Sequence, residues 1–146
     1  IYIKTQTLIE ETKSEKLYDS VLAFKRISAK EQSRRLEGAV VPESKEGYFL
    51  ENHLNFMKRE DQKAPPLEVM ESLLNSQLWD ILFRLINGNT QVSAKEIRLF
   101  PIPHNVEVLE KNSLPNEEER ERVIHQIYGL SPDESDYVLS SRKEIM

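Results

Sequence analysis

Residues 65–88 read PPLEVMESLLNSQLWDILFRLING, and the fold of the chain turns on how this stretch is divided. Pro65-Pro66 suits the start of a helix, because proline fits the first turn and rules out helix before the pair. Leu67, Met70, Leu74, Leu78, Ile81, Leu82 and Leu85 then recur at helical spacing. They predict one wide apolar face. Asn87-Gly88 closes the run with two residues that tolerate the left-handed conformation of a helix exit. The reading is a single long core helix, with Trp79 among its buried residues.

Upstream the pattern is that of strands. Segment 1–16 is polar after a short apolar start. Leu17-Tyr18-Asp19-Ser20-Val21-Leu22-Ala23-Phe24, Ala39-Val40-Val41-Pro42 and residues 48–57 each read as a strand. Between the first two, Ser28 with Glu31 makes a capping-box pattern that leaves a helical turn and a strand connection both open. Downstream, Ser93 with Glu96 predicts a short capped turn, and residues 97–103 an extended segment closed by Pro101 and Pro103. Asn116 with Glu119, and Ser131-Pro132 with Glu134, start two further helices separated by Gly129. The expected class is α+β: a small, mainly antiparallel sheet packed with a long apolar helix, then a helical C-terminal tail. One domain over 1–146 is expected, with 17–103 as its core and 104–146 as a helical extension.

At 146 residues, 38% hydrophobic and 31% charged, the chain is long enough to bury a core and too rich in apolar residues to stay disordered. It has no cysteine, which removes disulfides and thiolate metal sites and fits the cytoplasm. No apolar run is long enough for a membrane helix. The chain opens at Ile1 without an initiator methionine, which predicts a segment of a larger protein. The net charge of −5 is unevenly placed. Residues 104–146 alone carry −5, residues 23–103 carry +1, and the stretch 25–45 carries +3. Acidity is thus confined mostly to the tail, while a basic segment precedes the core helix.

Several segments together resemble one family. Phe24-Lys25-Arg26-Ile27-Ser28-Ala29-Lys30-Glu31-Gln32-Ser33-Arg34-Arg35-Leu36 is similar to the basic strand-turn of the recognition domains of restriction–modification adenine-N6 DNA methyltransferases. Leu50-Glu51-Asn52-His53-Leu54-Asn55 is similar to the strand that follows it there. Residues 73–103, LLNSQLWDILFRLINGNTQVSAKEIRLFPIP, resemble a third segment, whose general plan type I specificity subunits share. Residues 117–139, with Ile127-Tyr128-Gly129-Leu130, resemble the end of the same enzymes. The resemblance covers the chain from about Leu17 onward and rests on the joint order of short motifs. It implies a target-recognition domain for double-stranded DNA. Its partner would be an N-terminal methyltransferase domain of the same protein, alone or with a fused endonuclease. S-adenosylmethionine is implied for that parent enzyme. No cofactor is expected in this segment, which lacks both an Asn/Asp-Pro-Pro-aromatic tetrapeptide and a glycine-rich cofactor turn.

On this reading Lys25, Arg26, Lys30, Arg34 and Arg35 track the phosphate backbone, and Arg84 and Lys95 add phosphate contacts. Asn89, Thr90 and Gln91 offer amide and hydroxyl groups suited to base edges, with Asn or Gln pairing to adenine as the favoured geometry. The plainer alternative is a solvated turn whose arginines pair with Glu31 and Glu37, followed by a polar helix cap. His53, His104 and His125 lack metal-ligand spacing and are expected to be structural. Glu43-Ser44-Lys45, with Asp19 upstream, and Glu11-Thr12-Lys13 match half of a nuclease metal site, a pattern common by chance. A protein-docking module built on the apolar helix and the acidic tail is the remaining rival.

Overall fold

Val21-Leu22-Ala23-Phe24 is an unbroken apolar run, as a strand covered on both faces requires. The computed structural model describes residues 2–3, 7–11, 15–26, 33–87, 92, 94–111 and 116–145, and in it this run is a central strand. Strand β3 (Val21–Lys25) lies between β4 (Gly38–Val41) and β5 (Leu54–Arg59), and β2 (Thr7–Glu11) adds to the far side of β5. The sheet order is β2-β5-β3-β4, with every pairing antiparallel. Register places Leu22 opposite Met57 and Ala23 opposite Phe56. Leu22, Phe24 and Met57 join the main core, whereas Val21 and Phe56 pack with Leu17 in a smaller cluster. Strand β1 (Tyr2–Ile3) pairs separately with β6 (Ile102–Pro103).

Two helices, not one, cover the sheet. Helix α1 (Leu67–Leu74) ends at Asn75, and α2 (Gln77–Ile86) restarts with Ser76 as its cap, whose Oγ accepts from the Trp79 amide. Asn75 is taken out of the helix by a reciprocal pair of 2.9 Å bonds to the backbone N–H and C=O of Gly38. Glu71 accepts from the Val40 amide at 2.7 Å. The outer side of edge strand β4 is thereby hydrogen-bonded by α1 side chains rather than left to pair with another chain. Gly38 has no room for a side chain: a Cβ would lie 2.6 Å from the Ala23 carbonyl oxygen and 2.7 Å from Leu74 Cδ2.

The break at residues 75–76 shifts the helical phase. Leu67, Met70, Leu74 and Leu78 are buried as expected, but α2 then buries Trp79 and Phe83, and Leu85 is 76% exposed. Leu85 is therefore not a core residue. Trp79 meets Phe100 edge-on at 4.7 Å between centroids, and its indole N–H donates to Tyr128 Oη, which donates in turn to the Pro101 carbonyl.

Helices α3 (Ala94–Ile97) and α4 (Val108–Lys111) are short; α5 (Glu117–Ile127) and α6 (Pro132–Ile145) form the C-terminal part. The class is α+β. Strand β2 has no clear signal in the sequence, and the strands read at residues 17–24 and 48–57 are narrower, with Leu17 and Tyr48 joined only by an isolated bridge. Residues 97–100 turn instead of extending, because the Leu99 and Phe100 amides bond back to Glu96 and Ile97. The Ser28 capping pattern and Ser93 lie outside the described residues. Ile124 and Val138 join the same core as α1 and α2, so the tail is packed rather than appended. No helix among the described residues is long and apolar enough to cross a membrane.

Candidate nucleic-acid interface

Residues 27–32 and 88–91 hold Lys30, Asn89, Thr90 and Gln91, and all four lie outside the described residues. The flanks of both segments are described, and they meet. Where β3 leads out, the Arg26 carbonyl accepts the Val92 amide at 2.7 Å. Where α2 ends, Asn87 offers its carbonyl to Arg35 Nη1 at 3.1 Å. The exit of one segment is thus joined to the return of the other, at both ends. Asn55 of β5 adds a third tie, donating from Nδ2 to the Val92 carbonyl at 2.9 Å. Arg26 is held further by its own amide to the His53 carbonyl and its Nη1 to Asn52.

Asp80 organises the second junction. Its Oδ1 accepts the Arg35 and Leu36 amides at 2.7 and 2.9 Å, and its Oδ2 accepts from Arg84 Nε at 2.8 Å. The Arg35 guanidinium lies 4.9 Å over the Phe83 ring. Burial, and then the neighbouring Arg84, hold the Arg35 pKa below its ordinary value. At 1% exposure Arg35 cannot serve as a phosphate contact; it is an internal tie, and the expectation for it is corrected. Asn87, also buried, bonds through its side chain to Glu96, which fixes α3 beside the end of α2.

The other cations named from the sequence are more accessible but are engaged. Lys25 pairs with Glu37 at 2.7 Å, both about half exposed. Arg34 pairs with Glu117 at the start of α5. Arg84 is mostly buried against Asp80, and Lys95 is exposed on α3. Exposed pairs of this kind contribute little and exchange readily for another anion. Helices α5 and α6 with the start of α2 line a groove that carries Glu117, Glu118, Glu121 and Asp136, with Arg122 as the one cation among its described lining residues. That face repels a polyanion.

Among the described residues no group of three His, Cys, Asp or Glu side chains is placed to hold a metal ion. His53 is exposed beside Glu51. His125, fully buried, bridges Ser135 Oγ at 2.6 Å and Glu121 Oε2 at 2.7 Å. The order hydroxyl, imidazole, carboxylate invites comparison with a nucleophilic triad. Here the carboxylate also accepts the Gln77 and Leu78 amides, so its task is to satisfy the open N-terminus of α2 and dock α5 against it.

Asn55, Asp80 and Glu121 carry these junctions, and none stands out among the charged or loop residues of the sequence. For Asn55 and Asp80 the one signal is a polar side chain inside an apolar strand or helix, and Glu121 has none in the acidic α5. No protein-family model, no curated protein and no solved structure matches the chain.

Proposed function

We propose that this chain is a DNA target-recognition domain of a restriction–modification adenine-N6 methyltransferase, acting in the cytoplasm beside a catalytic domain of the same protein. S-adenosylmethionine and the target adenine belong to that domain. The supporting observation is the double junction of Arg26 with Val92 and of Arg35 with Asn87. It brings the flanks of the basic segment and of the amide-rich segment to one end of the fold, which suits one segment following phosphates while the other reads base edges. The acidic groove on α5 and α6, reached by Arg34 through Glu117, disfavours approach of the duplex along that face.

The test is selection from a pool of randomised duplexes by the purified chain. A sequence motif should be enriched, and binding should weaken steeply with added salt. Gln91→Ala should abolish part of the enrichment, costing about 1–3 kcal/mol on the selected site and much less on scrambled DNA. Lys30→Ala should instead weaken all duplexes alike and flatten the salt slope by about one ion. No enrichment and no salt dependence would sink the reading.

A protein-docking module is the second reading, favoured by Leu85, Ile86 and Leu99, which are 76%, 55% and 72% exposed. Apolar docking should survive added salt, so the same titration separates the two.

A further inference from the structure

We propose that Arg34 and Arg120 form one binding site for a phosphate-class anion, and that the Glu117 carboxylate occupies it in the free chain. The inference rests on the DNA-recognition reading for the source of that anion, a backbone phosphate of the duplex.

Arg34, just before β4, and Arg120, in α5, line one cleft of about 240 Å³ beside the turn between α1 and α2. Both come from anchored backbone. The Arg35 and Leu36 amides, next along the chain from Arg34, are held by Asp80 Oδ1. Helix α5 is docked on the start of α2 by Glu121, which takes the Gln77 and Leu78 amides. Arg34 pairs with Glu117, which lies three residues before Arg120 and so on the same side of α5. Arg120 is exposed and has no ion-pair partner among the described residues. Two guanidinium groups thus share a space in which each can offer a pair of parallel N–H donors to phosphate oxygens.

The carboxylates that line the cleft are not equivalent. Glu71 accepts the Val40 amide at 2.7 Å, and Glu121 accepts two amides and bonds to His125. Both are built into the fold. The Glu117 side chain is 65% exposed, and an ion pair so open to water contributes little to stability. It therefore yields to a competing anion at small cost. Glu117 also lines the acidic groove between α5 and α6, so while ionised it guards the cleft against weakly held anions. Glu118 lines that groove and not the cleft, and it pairs with Arg122 at 3.6 Å. The two neighbouring glutamates therefore separate a local effect on Arg34 from a general effect of charge.

Glu117→Gln and Glu118→Gln each remove one negative charge from an exposed position. The purified chains are titrated with inorganic pyrophosphate, read by nuclear magnetic resonance at the Nε–H groups of Arg34 and Arg120, and separately with a duplex. In Glu117→Gln both signals should move on one isotherm, with binding about fivefold tighter than in the unaltered chain. Glu118→Gln should tighten it by less than about twofold, because its charge acts through solvent. Adding Arg34→Ala to Glu117→Gln should abolish the gain. With the duplex, Glu117→Gln should steepen the salt slope by about one ion, and Glu118→Gln should leave it unchanged. Movement of Arg34 without Arg120, or equal effects of the two glutamines, would overturn the shared site. Tight pyrophosphate binding in a chain that binds no duplex would support the anion site and sink the DNA reading. A duplex slope indifferent to Glu117→Gln, beside a responsive pyrophosphate signal, would overturn the use of this site for DNA.

Discussion

Helices α5 and α6 begin with caps supplied from three residues away. Asn116 Oδ1 accepts the Glu119 amide at 2.7 Å, and Ser131 and Glu134 exchange two bonds in a capping box. The Asn87 and Val92 carbonyls are held instead by Arg35 and Asn55, 52 and 37 residues away in sequence. A local cap fixes one helix start and is indifferent to the rest of the molecule. A distant tie makes the placement of Asn87 and Val92 depend on the core that holds Arg35 and Asn55. The first arrangement suits a scaffold element. The second ties the described loop flanks at Asn87 and Val92 to the core.

The sharpest way to break the distant arrangement is Asp80→Ala. It strips the buried Arg35 and Leu36 amides of their acceptor and removes one partner of Arg84. Leaving two buried amides without their acceptor and weakening the hold on a mostly buried cation should cost about 3–5 kcal/mol in urea unfolding. A cost no larger than that of capping substitutions would mean that the junction is incidental. Leu78→Ala, buried against the core, should cost about 2–4 kcal/mol. Leu85→Ala at 76% exposure should shift the melting temperature hardly at all. Equal effects from the two leucines would contradict the phase change at residues 75–76.

This contrast also explains what the sequence discloses. Asn116 with Glu119, Ser131 with Glu134, and Gly129 at φ +80° are visible because each cap is closed within one turn, where spacing alone states the chemistry. The α+β class follows from equally local patterns, the apolar run at β3 and the helical spacing after Pro66. The break between α1 and α2 is hidden because its cause, the Asn75 pairing with Gly38, comes from a strand 37 residues earlier. Arg35 is misread for the same reason. Arginine in a basic stretch suggests an exposed face, and only the fold brings Asp80, Phe83 and Asn87 around it. Asn55 is a polar residue in a strand until Val92 is placed opposite it.

At the local end of the comparison, Asn116→Ala should lower stability by about 1 kcal/mol, the usual cost of losing such a cap. Hydrogen exchange should show faster opening at the start of α5 with Val92 protection unchanged. Slower or unchanged exchange in the first turn would show that the Asn116 bond does not hold the helix end. A simultaneous loss at Val92 would show that the start of α5 and the Val92 junction are coupled, through a link such as the Arg34–Glu117 pair.

The smallest effect expected is one of pH at the start of α6. The Glu134 carboxylate accepts the Ser131 amide, and its own amide donates to the Ser131 hydroxyl. The Ser131 amide first, and then the Ser131 hydroxyl, favour the ionised carboxylate and hold its pKa below the ordinary value of 4.5. A carboxyl depressed on folding binds its proton less readily in the folded chain than in the unfolded one. Its contribution is therefore complete above pH 4.5 and is lost as pH falls through the depressed value. Protection of the first-turn amides of α6 should decline over that acidic interval in the unaltered chain. In Glu134→Gln, which keeps an acceptor but cannot ionise, the decline should be absent once the intrinsic pH dependence of exchange is removed. The Asn55 amide does not titrate, so its bond to Val92 should show no comparable loss over the same interval. Identical pH profiles for the two proteins at α6 would remove Glu134 from the cap. A matching decline at Val92 would mean that a titrating neighbour, not Asn55, governs that junction.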